Sequence, residues 1–365
     1  MILRRYCLRE LVSPFLMSLA VFTFIFMVGN LVKVADLLVN KGVGVFDVLK
    51  ILILTVPSVL GFILPTATLA SVLLVFGSFA QNNELIAMKA SGINLFRIAV
   101  PVVAVSFLLS LFSLFLNDQV QPKAVYWYRQ LIREVVVKRP AAYLEAGRFI
   151  KDFKGYILWV NRVKGKRLEG ITIYEPQAGK STRTIMAEWG EIAPSSDEQS
   201  LALKLFNGIS DEPNADDPSV FYKLNFKTLL LPNITLGEAS GGTGKKPREM
   251  AIDELMYRLQ HEQEAKASVK RRRELESEIH QKISFSFATL VFVMIGLPAA
   301  IITRRGEAVV SFSLALGIIA VYYTLFVWGT SMAINGYLPP IISLWFPNAL
   351  LAGFAVFLGR RAVLQ

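Results

Sequence analysis

Ionisable residues are dealt out unevenly along this chain. No Asp, Glu, Lys or Arg occurs from Val12 to Val32, from Ile51 to Asn83, or from Ile98 to Asn117. A charge-bearing middle follows, and the ionless pattern resumes from Ile283 to Thr303 and from Ala308 to Gly359. The last stretch is too long for one crossing, and Asn335-Gly336-Tyr337-Leu338-Pro339-Pro340 supplies a turn that divides it. A bilayer core about 30 Å thick takes roughly 20 apolar residues at about 1.5 Å rise each. The pattern predicts six transmembrane helices in a 3+3 order, membrane α-helical in class, with a polar insert between the third and the fourth.

Inside the insert the period changes. Phe221 to Lys227 alternates apolar and polar, which puts Tyr222, Leu224 and Phe226 on one face, and Leu201, Leu203 and Leu205 do the same. Gly155 to Val163, Leu168 to Glu175 and Thr182 to Ile192 are further strand candidates, parted by turn residues. Several short strands at this spacing predict an all-β antiparallel sandwich or open barrel. Asp211 to Pro218 and Ala239 to Lys246 read as loops, and Glu249 to Lys282 as one charged helix running straight into span four. The expected organisation is spans one to three over 1–117 with a short helix at about 81–92, a β-domain over 118–248, a connecting helix over 249–282 and spans four to six over 283–365. Asn117-Asp118 marks the expected exit of span three.

Composition fits a membrane protein: 53% of the 365 residues are hydrophobic and the mean hydropathy is +0.47. The net charge of +11 does not require nucleic acid, because much of it flanks the spans. An inside N-terminus puts Arg4, Arg5, Arg9, Lys89, Arg97, Arg304, Arg305, Arg360 and Arg361 in short cytoplasmic segments, against Lys33, Lys41 and Lys50 on the other side. Nine against three places both termini inside and residues of about 118 to 282 outside. Lys270 to Arg273 lies in a long translocated block, where charge has little influence. The first apolar run is too long for a signal-peptide core and lacks a convincing cleavage site, so it is expected to be retained. Cys7 is the single cysteine, which leaves no internal disulfide and no multi-cysteine metal site.

Candidate chemistry is sparse. The spans lack the His, Asp and Glu constellation that intramembrane catalysis needs, so no catalytic residue, metal site or cofactor is assigned. His261 and His280 stand nineteen apart in a charged helix and form no ligand motif. The run Ala239-Ser240-Gly241-Gly242-Thr243-Gly244-Lys245-Lys246 departs from a nucleotide-binding loop at its deciding positions and is a linker. Span two carries Pro57 and Pro65 around Gly61, a hinge candidate because proline removes a backbone donor; the plainer reading is packing shape. Between spans two and three, Asn82 or Asn83 caps a short helix, Glu84 suits its positive end and Gly92 terminates it. Leu85, Ile86 and Met88 give that helix apolar contacts beside Lys89, the kind of lever a permease offers a soluble motor; the alternative is an interfacial connector.

These residues carry a resemblance. The stretch Asn83-Glu84-Leu85-Ile86-Ala87-Met88-Lys89-Ala90-Ser91-Gly92 resembles the coupling segment of the LptF/LptG permeases of the lipopolysaccharide exporter. Arg5-Tyr6-Cys7-Leu8-Arg9-Glu10, Lys33-Val34-Ala35-Asp36 with Lys41-Gly42, and Glu278-Ile279-His280-Gln281-Lys282 are similar to theirs as well. The likeness covers essentially the whole chain; order and spacing together carry it rather than any single motif. The start and the passage around Arg139 resemble LptF, whereas Lys33 to Asp47 is closer to LptG.

The resemblance implies a non-catalytic subunit of the Gram-negative inner membrane. It implies a second LptF/LptG-type permease, a dimeric cytoplasmic LptB-like ATPase received by the coupling helix, a single-span LptC-like subunit and a periplasmic LptA-like bridge. The insert would be a periplasmic β-jellyroll, and lipopolysaccharide the cargo. Lys33 and Lys41 would face the lipid phosphates, which suits cations that snorkel to the headgroup level at the outer end of span one. The alternative from another class is a membrane-tethered scaffold whose periplasmic β-domain binds envelope proteins or polymers. That reading leaves the six spans, the paired prolines and the opposite-face helix without a purpose.

Overall fold

The structure, a computed structural model, describes residues 2–39, 44–92, 95–138, 146–153, 155–164, 167–176, 182–194, 201–213, 221–234, 245–264, 269–303 and 308–364. The chain forms two compact units. One comprises Met1–Asn30, Leu54–Val125 and Pro247–Gln365; the other comprises Leu31–Ile53 and Tyr126–Lys246.

The helices are α1 (Ile2–Val39), α2 (Val45–Gln81), α3 (Glu84–Ala90), α4 (Leu95–Phe115), α5 (Gln121–Lys138), α6 (Ile252–Glu264), α7 (Val269–Thr303), α8 (Ala308–Asn335) and α9 (Pro340–Leu364). Among the described residues six helical stretches are long and apolar enough to cross a membrane: Ile2–Leu31, Val45–Gln81, Arg97–Ile132, Val269–Thr303, Val309–Asn335 and Pro340–Arg361. The hydrophobic pattern therefore gives the six expected spans. Two of them form the interior of the first unit: 78% of the apolar window of α2 and 72% of that of α7 is buried, against 11% for α1.

Lipid tails are as apolar as leucine, so packing here depends on close approach rather than on escape from water. Gly296 of α7 has Leu69 Cδ1 3.0 Å from where a side chain would begin, and Gly329 of α8 lies against the Ser343 backbone of α9. Phe285 anchors an aromatic cluster, 4.8 Å from Phe62 and 5.1 Å from Phe326 between ring centres. Asn348 Nδ2 donates to the Ser284 carbonyl at 2.7 Å, and Ser284 Oγ donates to the Leu344 carbonyl at 2.6 Å, tying α9 to α7.

Two element boundaries differ from expectation. The helix of the third span does not end at Asn117-Asp118; it passes through one π turn, Leu116–Val120, and continues as α5. Charge enters the sequence there, but an amphipathic face carries the helix on: Tyr128, Leu131 and Ile132 pack on Val48 and Ile51 of α2 within the second unit. The charged helix expected from Glu249 starts later, at Ile252. A 3₁₀ turn at Pro247–Glu249 precedes α6, residues 265–268 lie outside the described residues, and α7 enters span four unbroken.

The second unit holds an antiparallel six-stranded sheet, inserted between the third and fourth spans, with neighbours in sequence order. Its strands are β1 (Phe149–Phe153), β2 (Tyr156–Lys164), β3 (Arg167–Glu175), β4 (Arg183–Pro194), β5 (Leu201–Pro213) and β6 (Phe221–Ile234). The register lines up Leu158 with Ile173 and Ile173 with Ile185, and sets Leu168 opposite Gly190, which faces Leu205. That face is the buried core. On the other face Trp189 stacks on Phe206 at 3.9 Å, and Arg167 lies 4.3 Å over the Trp189 ring.

Asp211 to Pro213, expected in a loop, is the end of β5: Asp211 is paired to Thr184 on one side and Lys223 on the other. Pairing on both edges overrides the weak strand preference of Asp211, whereas Glu212 and Pro213 pair with β6 alone. Tyr222, Leu224 and Phe226 share a face, yet Tyr222 and Leu224 are 62% and 56% exposed because β6 ends the sheet; Phe226 alone of the three packs on the core. The linker at 239–244 and Arg304 and Arg305 lie outside the described residues.

Candidate functional site

The short helix α3 is built by its ends. Asn83 adopts a left-handed conformation (φ 61°), and its carbonyl accepts the first helical hydrogen bond from Ala87 N–H at 2.9 Å. Asn83 rather than Asn82 thus holds the cap position. Glu84 stands in the first turn, where a carboxylate suits the helix dipole. At the other end Ser91 bonds back to the Ala87 carbonyl at 3.0 Å, and Gly92 turns the chain at φ 75°, a conformation that favours glycine.

The seven residues of α3 divide by side. Leu85 and Met88 are buried in the core of the first unit, three apart on one face. Ile86 is 56% exposed, and Asn82 and Asn83 are exposed beside it. Glu84 accepts a hydrogen bond from Tyr6 Oη at 3.4 Å, and the Tyr6 ring stacks on Phe79 at 5.6 Å. The helix is therefore fixed to α1 and α2 and presents Ile86, with Ala87 and Ala90, outward. The Lys89 side chain, the Lys33 side chain and all of Lys41 lie outside the described residues, although Lys33 belongs to the helical backbone of α1. Lys50 pairs with Asp47 at 3.7 Å.

Pro57, Gly61 and Pro65 all lie within the single unbroken helix α2. Two groups on neighbouring helices, Gln121 and Tyr323, and one of its own, Thr66, brace its backbone around them. Gln121 Nε2 donates to the Ser58 carbonyl at 3.3 Å, Tyr323 Oη to the Phe62 carbonyl at 3.0 Å, and Thr66 Oγ1 to the Ile63 carbonyl at 2.7 Å. Such donors are what lets proline persist in a span.

A polar knot that the residue pattern does not single out faces Gly61. The Asn117 amide, carried by the π turn, lies directly over Gly61, where no side chain has room. Asn117 Nδ2 donates to Ser286 Oγ at 2.9 Å, and Ser286 Oγ donates to the Lys282 carbonyl at 2.7 Å. The buried Lys282 ammonium donates to the Met250 carbonyl at 2.5 Å, and Asp118 Oδ1 accepts the Ile252 N–H at 2.6 Å, capping α6 from 134 positions away. Spans two, three and four and the start of α6 thus meet at one buried node. Its only signal in the sequence was an Asn at the end of an apolar run and a Lys at the start of the next.

Other charges of α7 are paired locally or rest on a neighbouring element. Arg272 reaches Glu276 at 2.9 Å and Arg271 reaches Glu274 at 3.6 Å, whereas the Arg273 guanidinium lies on Gly336, itself at φ 81° in the turn between α8 and α9. Among the described residues no three of His, Cys, Asp and Glu gather into a set that holds a metal.

The comparisons fit this arrangement of spans, insert and short helix. Over 298 residues the chain is 20% identical to an uncharacterized protein of Rickettsia prowazekii (strain Madrid E), which covers 80% of each chain. It is 28% identical over 177 residues to the lipopolysaccharide export system permease protein LptG of Escherichia coli (strain K12), a match that spans 47% of this chain and 48% of that one. The profile of the lipopolysaccharide export system permease LptF/LptG family matches residues 5–361, so this chain belongs to that family.

Proposed function

We propose that this chain is one of two permease subunits that extract lipopolysaccharide from the inner membrane of a Gram-negative bacterium and pass it to a periplasmic LptA-like bridge. A dimeric LptB-like ATPase on the cytoplasmic side supplies the work, and a single-span LptC-like subunit joins the assembly; this chain performs no chemistry itself. Both termini are cytoplasmic and the β-unit periplasmic. Residues 83–92 couple to the ATPase: Leu85 and Met88 tie α3 to the spans, while Asn83, Glu84, Ile86 and Lys89 meet the motor and Gly92 ends the lever. Lys33 and Lys41 hold the lipid phosphates, and Pro57, Gly61 and Pro65 let span two bend.

The observation that carries this reading is the geometry of α3 in a chain of this family: a helix rooted in the interior spans, with an exposed apolar side chain at its outer surface. Co-purification with the ATPase tests it. Glu84→Arg is expected to lower the retained ATPase by about tenfold, the scale of a disrupted charged contact, with the thermal midpoint of the permease unchanged. Undiminished association and transport would remove the coupling role. A photoreactive residue at position 41 is expected to capture lipopolysaccharide, and ATP to change the yield.

A further inference from the structure

A cavity of about 180 Å³ opens near the N-terminal end of α1, within the first unit. Leu11 and Phe15 of α1, Val72 of α2, and Val105 and Leu109 of α4 give it apolar walls. Three hydroxyl side chains also line it, and each already donates to its own helix: Thr68 to the Leu64 carbonyl at 2.7 Å, Ser71 to the Thr68 carbonyl at 2.9 Å and Ser106 to the Val103 carbonyl at 2.8 Å. With its hydroxyl protons so engaged, the slot offers little to water. An apolar cavity of about 150 Å³ stays dry and accepts hydrocarbon, and this one is larger.

Val12 and Val105 in its lining are 54% and 39% exposed, so the slot is not sealed from the surroundings of the helices. Its end nearest the N-terminus carries cations. Arg4 and Arg5 precede the lining residue Leu8 by four and three positions, on the same helical face, and Arg97 stands two turns before Val105 in α4. All three arginines are exposed, whereas Glu10 is about 200° round the helix from Leu8. Apolar walls ending in guanidinium groups complement a lipid whose hydrocarbon tail hangs below an anionic phosphate.

We propose that the slot is a resident-lipid site that takes one acyl chain of an anionic glycerophospholipid, with Arg4, Arg5 and Arg97 drawing its phosphate to the rim. The lipid comes from the leaflet that meets the start of α1. That leaflet is cytoplasmic if the topology proposed above holds, hence on the opposite side from Lys33 and Lys41 and from the cargo's headgroup.

Photocrosslinking from the full chain in nanodiscs of phosphatidylethanolamine with a minor share of phosphatidylglycerol tests this site. A benzophenone amino acid replaces Val105, and in a control it replaces Phe112, exposed on the same helix but outside the slot. Adducts at position 105 are expected to be enriched in phosphatidylglycerol over those at 112 by about fivefold, the weight of one arginine at a membrane surface. Arg5→Ala with Arg97→Ala should abolish the enrichment, and Ser71→Leu, which fills the slot, should lower the yield at 105 alone. Equal lipid composition at both positions overturns the proposal, as does capture of a protein helix in the complex with the second permease. Preferential capture of added lipopolysaccharide at 105 also overturns it, while leaving the export function standing. Loss of lipopolysaccharide transport by the whole complex, with the phosphatidylglycerol adduct intact, would sink the functional reading and not the slot.

Discussion

Gly61 and Asn117 show how much a single missing side chain can determine. The Asn117 amide occupies the volume that a Cβ at position 61 would need, and is held there by Ser286. Gly61→Ala is therefore expected to destabilise the chain by about 1–3 kcal/mol, the cost of overfilling a packed site. Adding Asn117→Ala should remove most of that penalty, because the clash disappears with the amide. Thermal unfolding of the two single variants and the double variant in detergent gives the coupling; simple additivity would mean that the two side chains do not compete for space. The prolines on either side of Gly61 were legible in the sequence and Asn117 was not. A proline declares its effect locally, through a lost N–H, whereas the partner of Asn117 stands 169 positions further along the chain.

Among the elements, α3 makes the sharpest distinction between holding a structure and offering a surface. Leu85→Ala removes a side chain only 5% exposed and should cost about 2–5 kcal/mol. Ile86→Asp, one position along and outward-facing, should change stability by no more than about 0.5 kcal/mol and yet release the ATPase. Parallel melting curves and pull-downs check the pair; equal destabilisation by both would mean that α3 is buried on all sides. The ends of α3 were readable because Asn and Gly have conformational preferences of their own, and the strands were readable because their side-chain period is two. The π turn at Leu116–Val120 was not, since five residues of ordinary helix-forming type carry no mark of an extra residue in the turn. The same limit hid the true end of β5, where pairing with β6, and at Asp211 also with β4, decides the conformation.

For the whole molecule the ionless runs sufficed, because a bilayer makes charge and length the dominant constraints. What they left open is which spans are central; only packing distinguishes α2 and α7, largely buried, from their exposed neighbours. Sidedness has a direct check. With Cys7 replaced by Ala, a cysteine at exposed Lys164 should react with a membrane-impermeant maleimide in intact spheroplasts, and one at Arg360 only after lysis. The reverse pattern would invert the topology and move the coupling helix to the wrong side of its motor. One detail at the α8–α9 connection bears on how this chain is to be engineered. The turn looks like a natural insertion point for an epitope or fluorophore, being short, exposed and between spans. Because the Arg273 guanidinium rests on the bare backbone of Gly336, any graft there displaces an arginine of span four's helix, so the most convenient place to lengthen the polypeptide is also the least forgiving.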